Sequence, residues 1–361
     1  MKFYRTTEDI APLLKLNENE KARMTEILER YPMQIPEYYL NLIDFSDPDD
    51  PIRKMCIPSI AETDLDGNFD TSGEHDNTKL VGLQHKYEQT VIILSTERCA
   101  MYCRHCFRKR LVGSHHDEIA EQFEPMMNYI ESHPLINNVL ISGGDAFLNS
   151  NAVIEKYLDR LTRMEQLDFI RFGTRLPVTL PEQISKNKEL LEILAHYNSI
   201  KPIYVMTQFN HPHELTPEAL NTLRLLRNSV TIVRNQTVLL KGVNDDAQTL
   251  GMLLRGLTQA GVAPYYVFQC RPVKSVKSQF QVPLRRGLQI VEGAKSMQNG
   301  VGKSFRYCMS HPRGKIEIIG SAADDSMIFK FHEAKYAQDS GRIFQLEIDK
   351  NECWLNGEIP A

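Results

Sequence analysis

The chain of 361 residues is 42% hydrophobic and 24% charged, an ordinary globular composition, and at roughly 150 residues per domain it suits two domains or one large barrel with extensions. Its 42 basic and 46 acidic side chains leave a net charge of −4 without a basic stripe, which argues against nucleic acid as a partner. No run approaches the ~20 apolar residues of a membrane helix, and residues 1–20 carry charge throughout with no secretory apolar run, so a soluble, cytoplasmic protein with reduced thiols and no membrane partner is expected.

Glu18 to Arg30 places Ala22, Ile27 and Leu28 near one stripe, which predicts a helix that Pro32 stops; a second short helix is expected after Pro36. From Ser46 to Leu83 the chain turns to Asp, Pro, Gly and Thr with little periodicity, the mark of a long loop or wrapping arm. Within it DLDGNFD is no EF-hand loop, since Gly67 falls at the fourth position instead of the sixth; it reads as a solvated acidic loop. Beyond Thr90 six short apolar runs follow: VIILS (91–95), NVLIS (138–142), FIRFGT (169–174), PIYVMT (202–207), TIVRNQ (231–236) and PYYVFQ (264–269). Helical stretches such as Asn151 to Arg163, Pro217 to Arg227 and Ala247 to Leu257 separate them. Serial strand-helix units imply parallel strands joined by crossover helices. After Ile316 strand runs (IEII, MIFKF, FQLEI) continue without helices. The expected fold is α/β: an incomplete (β/α)6 barrel with an N-terminal helical extension and a C-terminal β-rich appendage. The expected segments are 1–83 (helices and arm), 84–300 (partial barrel) and 301–361.

Seven cysteines are present, and three of them, Cys99, Cys103 and Cys106, form C-x3-C-x2-C directly after the first strand of the series, on the face where a parallel barrel carries its active site. Three thiolates on one short loop suit three irons of a 4Fe-4S cluster, leaving the fourth iron open to a ligand. The competing reading is zinc, which needs a fourth ligand; His105 is the nearest candidate but sits wedged between two of the cysteines. A disulfide is disfavoured in a reducing compartment. Cys56, Cys270, Cys308 and Cys353 show no ligand spacing.

This motif after the first barrel strand resembles the radical SAM superfamily. Within it GLQHKY, CRHCFRKR, ISGGDAFL, GTRLPV, FNHP, NQTVLL and GVND resemble the lysine 2,3-aminomutase family, over Ile57 to Lys315. The resemblance implies that the open iron binds S-adenosylmethionine, that an external donor reduces the cluster, and that the resulting 5'-deoxyadenosyl radical attacks an unactivated C–H bond. It also implies a homo-oligomer and an amino-acid substrate.

Residue by residue, the resemblance implies that Gly143, Gly144 and Asp145 contact S-adenosylmethionine. By chemistry alone the glycines permit a tight turn and Asp145 caps the next helix. Gln208 and Gln236 end strands facing the site and stand at cofactor-contact positions, Gln208 where lysine enzymes carry His. Arg175 is a further candidate, or pairs with a carboxylate of the barrel wall. Arg108 matches the arginine that holds the substrate α-carboxylate, against the reading of a surface residue. Lys315, in SHPRGK, matches the lysine that carries pyridoxal 5'-phosphate, with a shorter turn than the family's. Lys86 and Thr90 stand where two basic residues grip the phosphate, and Thr90 replaces an Arg. Tyr265 and Phe268 flank the cofactor ring or are core aromatics.

At the substrate positions Arg271 stands where lysine-specific relatives have an Asp, and Ser310 or Cys308 stands at a second such position. An Arg repels a lysine ammonium, whereas relatives acting on glutamate carry a basic residue there, so charge matching favours a distal carboxylate. The opposing reading places Arg271, Lys274 and Lys277 on a solvated basic loop. The function expected is a radical amino-acid 2,3-aminomutase for glutamate or another acidic amino acid. A lysine 2,3-aminomutase, a radical SAM enzyme without pyridoxal phosphate and a non-catalytic iron-sulfur sensor are the alternatives.

Overall fold

The computed structural model describes residues 2–111, 122–356 and 359. Fourteen strands are present among them: β1 (Phe3–Tyr4), β2 (Ile35–Pro36), β3 (Thr78–Leu80), β4 (Leu83–Tyr87), β5 (Thr90–Thr96), β6 (Asn138–Gly143), β7 (Phe169–Gly173), β8 (Ile203–Thr207), β9 (Ile232–Leu239), β10 (Ala263–Gln269), β11 (Arg306–His311), β12 (Gly314–Ser321), β13 (Met327–Ala334) and β14 (Ile343–Leu346). Strands β3 to β14 form one sheet in which neighbours in space are neighbours in sequence. The six apolar runs are β5 to β10, all parallel. Their crossover helices start where the caps dictate: Ser150, Thr216 and Asp246 side chains accept backbone N–H bonds at the starts of helices Asn151–Thr162, Pro217–Ser229 and Ala247–Gln259.

Five strands were not expected: β1, β2 and β3, each two or three residues long, and β4 and β11. β11 continues the parallel series by pairing with β10, giving seven parallel strands before the antiparallel run β12 to β14. Its apolar signal is only Tyr307 to Met309, between polar ends. β4, containing the polar run Gln84 to Lys86, pairs antiparallel with β5. The Ser46 to Leu83 arm also contains short helices at Pro51–Cys56 and Glu74–Asn77 and a 3-10 turn at Ile60–Thr63. No described helix is long and apolar enough to cross a membrane.

Strand alternation divides the core. On β5, Val91 and Ile93 are fully buried, while Thr90, Ile92, Leu94 and Thr96 line a cavity, as the two-residue period requires. β4 and β12 lie eight strands apart, which in a flat sheet is about 38 Å. Yet Lys86 Nζ on β4 donates to His311 O on β11 at 2.5 Å, and Lys315 Nζ on β12 lies 5.6 Å from the Tyr87 ring on β4. The sheet is therefore rolled around the cavity.

Two buried histidines stabilise loops only as neutral rings. His211 Nδ1 accepts the His213 N–H at 3.2 Å and His311 Nδ1 the Arg313 N–H at 3.3 Å. Burial, with His213 and Lys86 adding like charge, pulls each pKa down to about 4. An unfolded histidine titrates near 6.5, so between about pH 6.5 and 4 the unfolded chain binds more protons and stability falls as pH falls, by up to ~1.4 kcal/mol per pH unit for each ring. Urea denaturation at a series of pH values should show this slope, and His211→Gln with His311→Gln should reduce it.

Candidate active site

The cavity, of about 700 Å³, is lined by the inward residues of β5 to β10, the cysteine loop, the arm and β12 and β13. Parallel strands give it two chemically distinct ends. Cys99, Cys103 and Cys106 line the end at the C-terminal edge of the strands; Lys86, Thr90, Arg171, Lys315 and Glu333 line the other.

At the cysteine end, burial and the neighbouring thiols push the Cys99 pKa well up, and burial pushes Cys106 up to about 11. Thiols in such a place take thiolate form when a bound cation compensates. Arg175 Nη1 donates to Cys103 Sγ and Nη2 to Glu214 Oε1 at 2.6 Å, so the expected carboxylate partner and a contact to the cysteine loop occur together. No group of three His, Cys, Asp or Glu that could hold a single metal ion occurs among the described residues; the donor set offered to the cavity is three thiols. His105 also lines the cavity, but its Nε2 is engaged by protein amides, lying 3.2 Å from Gln208 Nε2 and 3.3 Å from Asn210 Nδ2. Three thiols with no fourth protein ligand fit a cluster with one open iron.

Gly143 and Gly144 hold the β6 turn against this loop. A Cβ would lie 2.2 Å from Thr96 O at Gly143 and 2.1 Å from Arg98 O at Gly144, and Gly143 has φ of +122°. Asp145 caps the following turn, accepting from Phe147 N, Thr174 Oγ1 and Arg175 N at 3.1, 2.7 and 2.6 Å, so its carboxylate is engaged by the protein. Gln208 and Gln236 both line the cavity.

The arm contributes what the sequence reading missed. Glu74 accepts from Arg108 Nε at 2.9 Å and Arg110 Nη2 at 2.7 Å. Burial pushes its carboxyl up, but Arg108, Arg271 and Arg110 outweigh this and hold it below the ordinary range. Arg271 lines the same cavity, stacks its guanidinium 3.9 Å from the Phe107 ring centroid and donates to Ser72 Oγ at 2.9 Å; it forms no ion pair among the described residues. Its neighbour Lys277 pairs with Asp66 at 2.7 Å, and Asn68 N donates to Pro272 O at 2.9 Å. The acidic segment and the basic loop thus dock on each other, with a Cβ at Gly67 barred at 2.4 Å from Pro272 O.

At the other end Lys315 Nζ donates to Glu333 Oε2 at 2.5 Å and lies 3.5 Å from Tyr266 Oη. Ser310, paired with Lys315 in register, lines the cavity; Cys308 is buried and does not. Phe268 lines the cavity, but Tyr265 does not. Tyr265 is the extra residue of a bulge between Pro264 and Tyr266 and packs under Arg234, 4.8 Å from its guanidinium carbon. Tyr266 takes the place expected for it beside Lys315. Glu74, Glu333 and Arg171 carry no local motif; only the rolled sheet and the docked arm bring them together.

The fold and a cysteine-lined cavity of this kind define a radical SAM protein, and residues 93–253 match the Radical SAM superfamily. The chain is 36% identical over 350 residues to a putative L-lysine 2,3-aminomutase of Aquifex aeolicus, covering 96% of this chain and 93% of that protein. It is 36% identical over 299 residues to L-lysine 2,3-aminomutase of Fusobacterium nucleatum, covering 82% and 69%, and 33% identical over 309 residues to glutamate 2,3-aminomutase of Clostridioides difficile, covering 85% and 72%. The chain belongs to the radical SAM amino-acid 2,3-aminomutase family, whose members are isomerases; membership implies a 4Fe-4S cluster and S-adenosylmethionine.

The cysteine loop is anchored by a fully buried carboxylate. Glu62 accepts from Arg104 Nε at 2.8 Å, from the Arg104 terminal nitrogen, and from Lys109 Nζ at 2.6 Å. Glu62→Ala strands two buried cations flanking Cys106. Anaerobic urea denaturation should show a loss of about 3–5 kcal/mol together with lower iron retention, whereas unchanged stability would mean that the network carries no weight.

Proposed function

We propose that this enzyme moves the α-amino group of an acidic amino acid, L-glutamate, to the neighbouring β-carbon. The observation that carries the substrate assignment is Arg271, a guanidinium on the cavity wall without a carboxylate partner of its own. Burial lowers its pKa to about 10, which leaves it charged at neutral pH. Arg108 meets Glu74 through Nε alone, so its terminal nitrogens remain for the substrate α-carboxylate while Arg271 takes the distal one. The carboxylates that could attract a lysine ammonium are already engaged, Glu74 by two arginines and Glu333 by Lys315.

Cys99, Cys103 and Cys106 would hold the 4Fe-4S cluster and Lys315 pyridoxal phosphate, which together with S-adenosylmethionine supply hydrogen abstraction and activation of the migrating amine. Gly143, Gly144, Gln208 and Gln236 would border S-adenosylmethionine, with Asp145 and Arg175 positioning the turn and the cysteine loop. Glu333 is placed to take the proton from Lys315 Nζ that the lysine must lose to act as a nucleophile. Burial raises the Glu333 carboxyl, but Lys315, His332 and Arg171 outweigh it and hold it ionised. The rolled sheet is the incomplete barrel of this reading. Residues 1–83 supply the arm with Glu74, 84–300 the cysteine end, and 301–361 Lys315. An external electron donor and a homo-oligomer complete the proposal.

Incubated anaerobically with S-adenosylmethionine, reductant and pyridoxal phosphate, the enzyme should convert L-glutamate to β-glutamate at least tenfold better than it rearranges L-lysine. A charge-assisted hydrogen bond gained or lost is worth about 1.5–3 kcal/mol, and ~1.4 kcal/mol is a factor of ten. Arg271→Asp should abolish that preference. Efficient lysine turnover with glutamate ignored would overturn the assignment.

A further inference from the structure

We propose that Arg171 is the phosphate anchor of the cavity, holding a phosphate monoester together with Lys86 beside Thr90. The inference rests on the assignment of pyridoxal phosphate to Lys315 and names the residues that would hold its phosphate. Arg171 points inward from β7, where its one hydrogen-bond partner among the described residues is the neutral Asn138 side chain on β6. Its Nε is buried with no partner, and it forms no ion pair among the described residues. Asn138 Nδ2 donates to Thr90 Oγ1 and Gln89 O, each at 3.0 Å. The same amide therefore fixes the Arg171 guanidinium next to Thr90.

Lys86 is equally without a carboxylate. Its ammonium donates to two backbone carbonyls, Ser72 O at 3.3 Å and His311 O at 2.5 Å, which leaves one of its three donors free. Among the described residues Glu333 is the single carboxylate lining this end, and Lys315 already holds it. Arg171 and Lys315 against Glu333 leave a surplus of one positive charge, to which Lys86, its pKa drawn down to about 7 by burial and by the neighbouring Arg271 and Lys315, adds when protonated. Buried charge without compensation is strongly unfavourable. A phosphate monoester carries about −1.5 to −2 near neutral pH, and a guanidinium fork matches its oxygens. Arg171 thus reaches from β7 into the space where Thr90, on β5, has no cationic side chain to offer.

The test is an absorbance titration of the anaerobic, cluster-loaded protein with pyridoxal phosphate and, separately, with pyridoxal, which lacks the phosphate; borohydride trapping and mass measurement confirm covalent uptake. Wild type should bind the phosphorylated aldehyde far more tightly. Arg171→Gln should weaken pyridoxal phosphate roughly 10- to 100-fold while leaving pyridoxal unchanged, and Arg171→Lys should recover part of the loss. Thr90→Arg, which adds a guanidinium at the same place, should strengthen pyridoxal phosphate alone, and it keeps the test decisive should Arg171→Gln fail to fold. An unchanged preference for the phosphorylated aldehyde in Arg171→Gln, or no gain in Thr90→Arg, overturns the anchor while the cofactor assignment stands. Uptake of neither aldehyde by wild type overturns both.

Discussion

The structure is organised around an excess of positive charge on the wall of one cavity. At one side of the cavity Arg108 and Arg110 hold Glu74 and leave Arg271 without a carboxylate of its own, and at the far end Lys315 holds Glu333 and leaves Lys86 and Arg171 without one. In water such clusters are tolerated cheaply; behind a rolled sheet they demand anions. The proposed substrate, with two carboxylates, and the proposed cofactor, with a phosphate, would supply them. The cationic lining is therefore a statement about ligands.

The fold holds this charge in place by rolling the sheet until β4 meets β11 and β12, so that polar residues separated by some 225 positions touch, as Lys86 and His311 do. The N-terminal arm then closes the side. Glu62 grips Arg104 and Lys109 of the cysteine loop, and Glu74 grips Arg108 and Arg110 just beyond it. One short basic stretch is thereby divided between two acidic residues of the arm, and the cysteines between and beside these contacts inherit a defined position. Arg175 adds a third tie, from β7's loop to Cys103 and Glu214.

Much of this was legible beforehand because it is local. The six apolar runs became β5 to β10, the helix at Glu18–Arg30 ends as expected before Pro32, and the C-x3-C-x2-C spacing announced the cysteine loop. Arg108, Arg271, Lys86 and Lys315, singled out in the sequence, all line one cavity. What stayed hidden depends on distant contacts. Glu74 lies in a segment whose composition reads as a long loop or wrapping arm, and nothing near it in sequence marks it as a buried counter-ion. β11 was masked by polar ends, and the bulge at Tyr265 exchanged the roles of two adjacent tyrosines, a one-residue event that strand periodicity does not reveal. Arg171 carries no motif of its own, and only the folded chain shows that it has no ion-pair partner among the described residues.

The central claim, that the cavity is built for anions at both ends of the substrate, is tested most directly by unreactive ligands. Calorimetric titration of the anaerobic, cluster-loaded protein with glutarate and with cadaverine separates distal carboxylate from distal ammonium without relying on turnover. The account predicts that glutarate binds and displaces L-glutamate, with affinity lost in Arg271→Asp, and that cadaverine does not bind. Cadaverine binding as tightly as glutarate would contradict it.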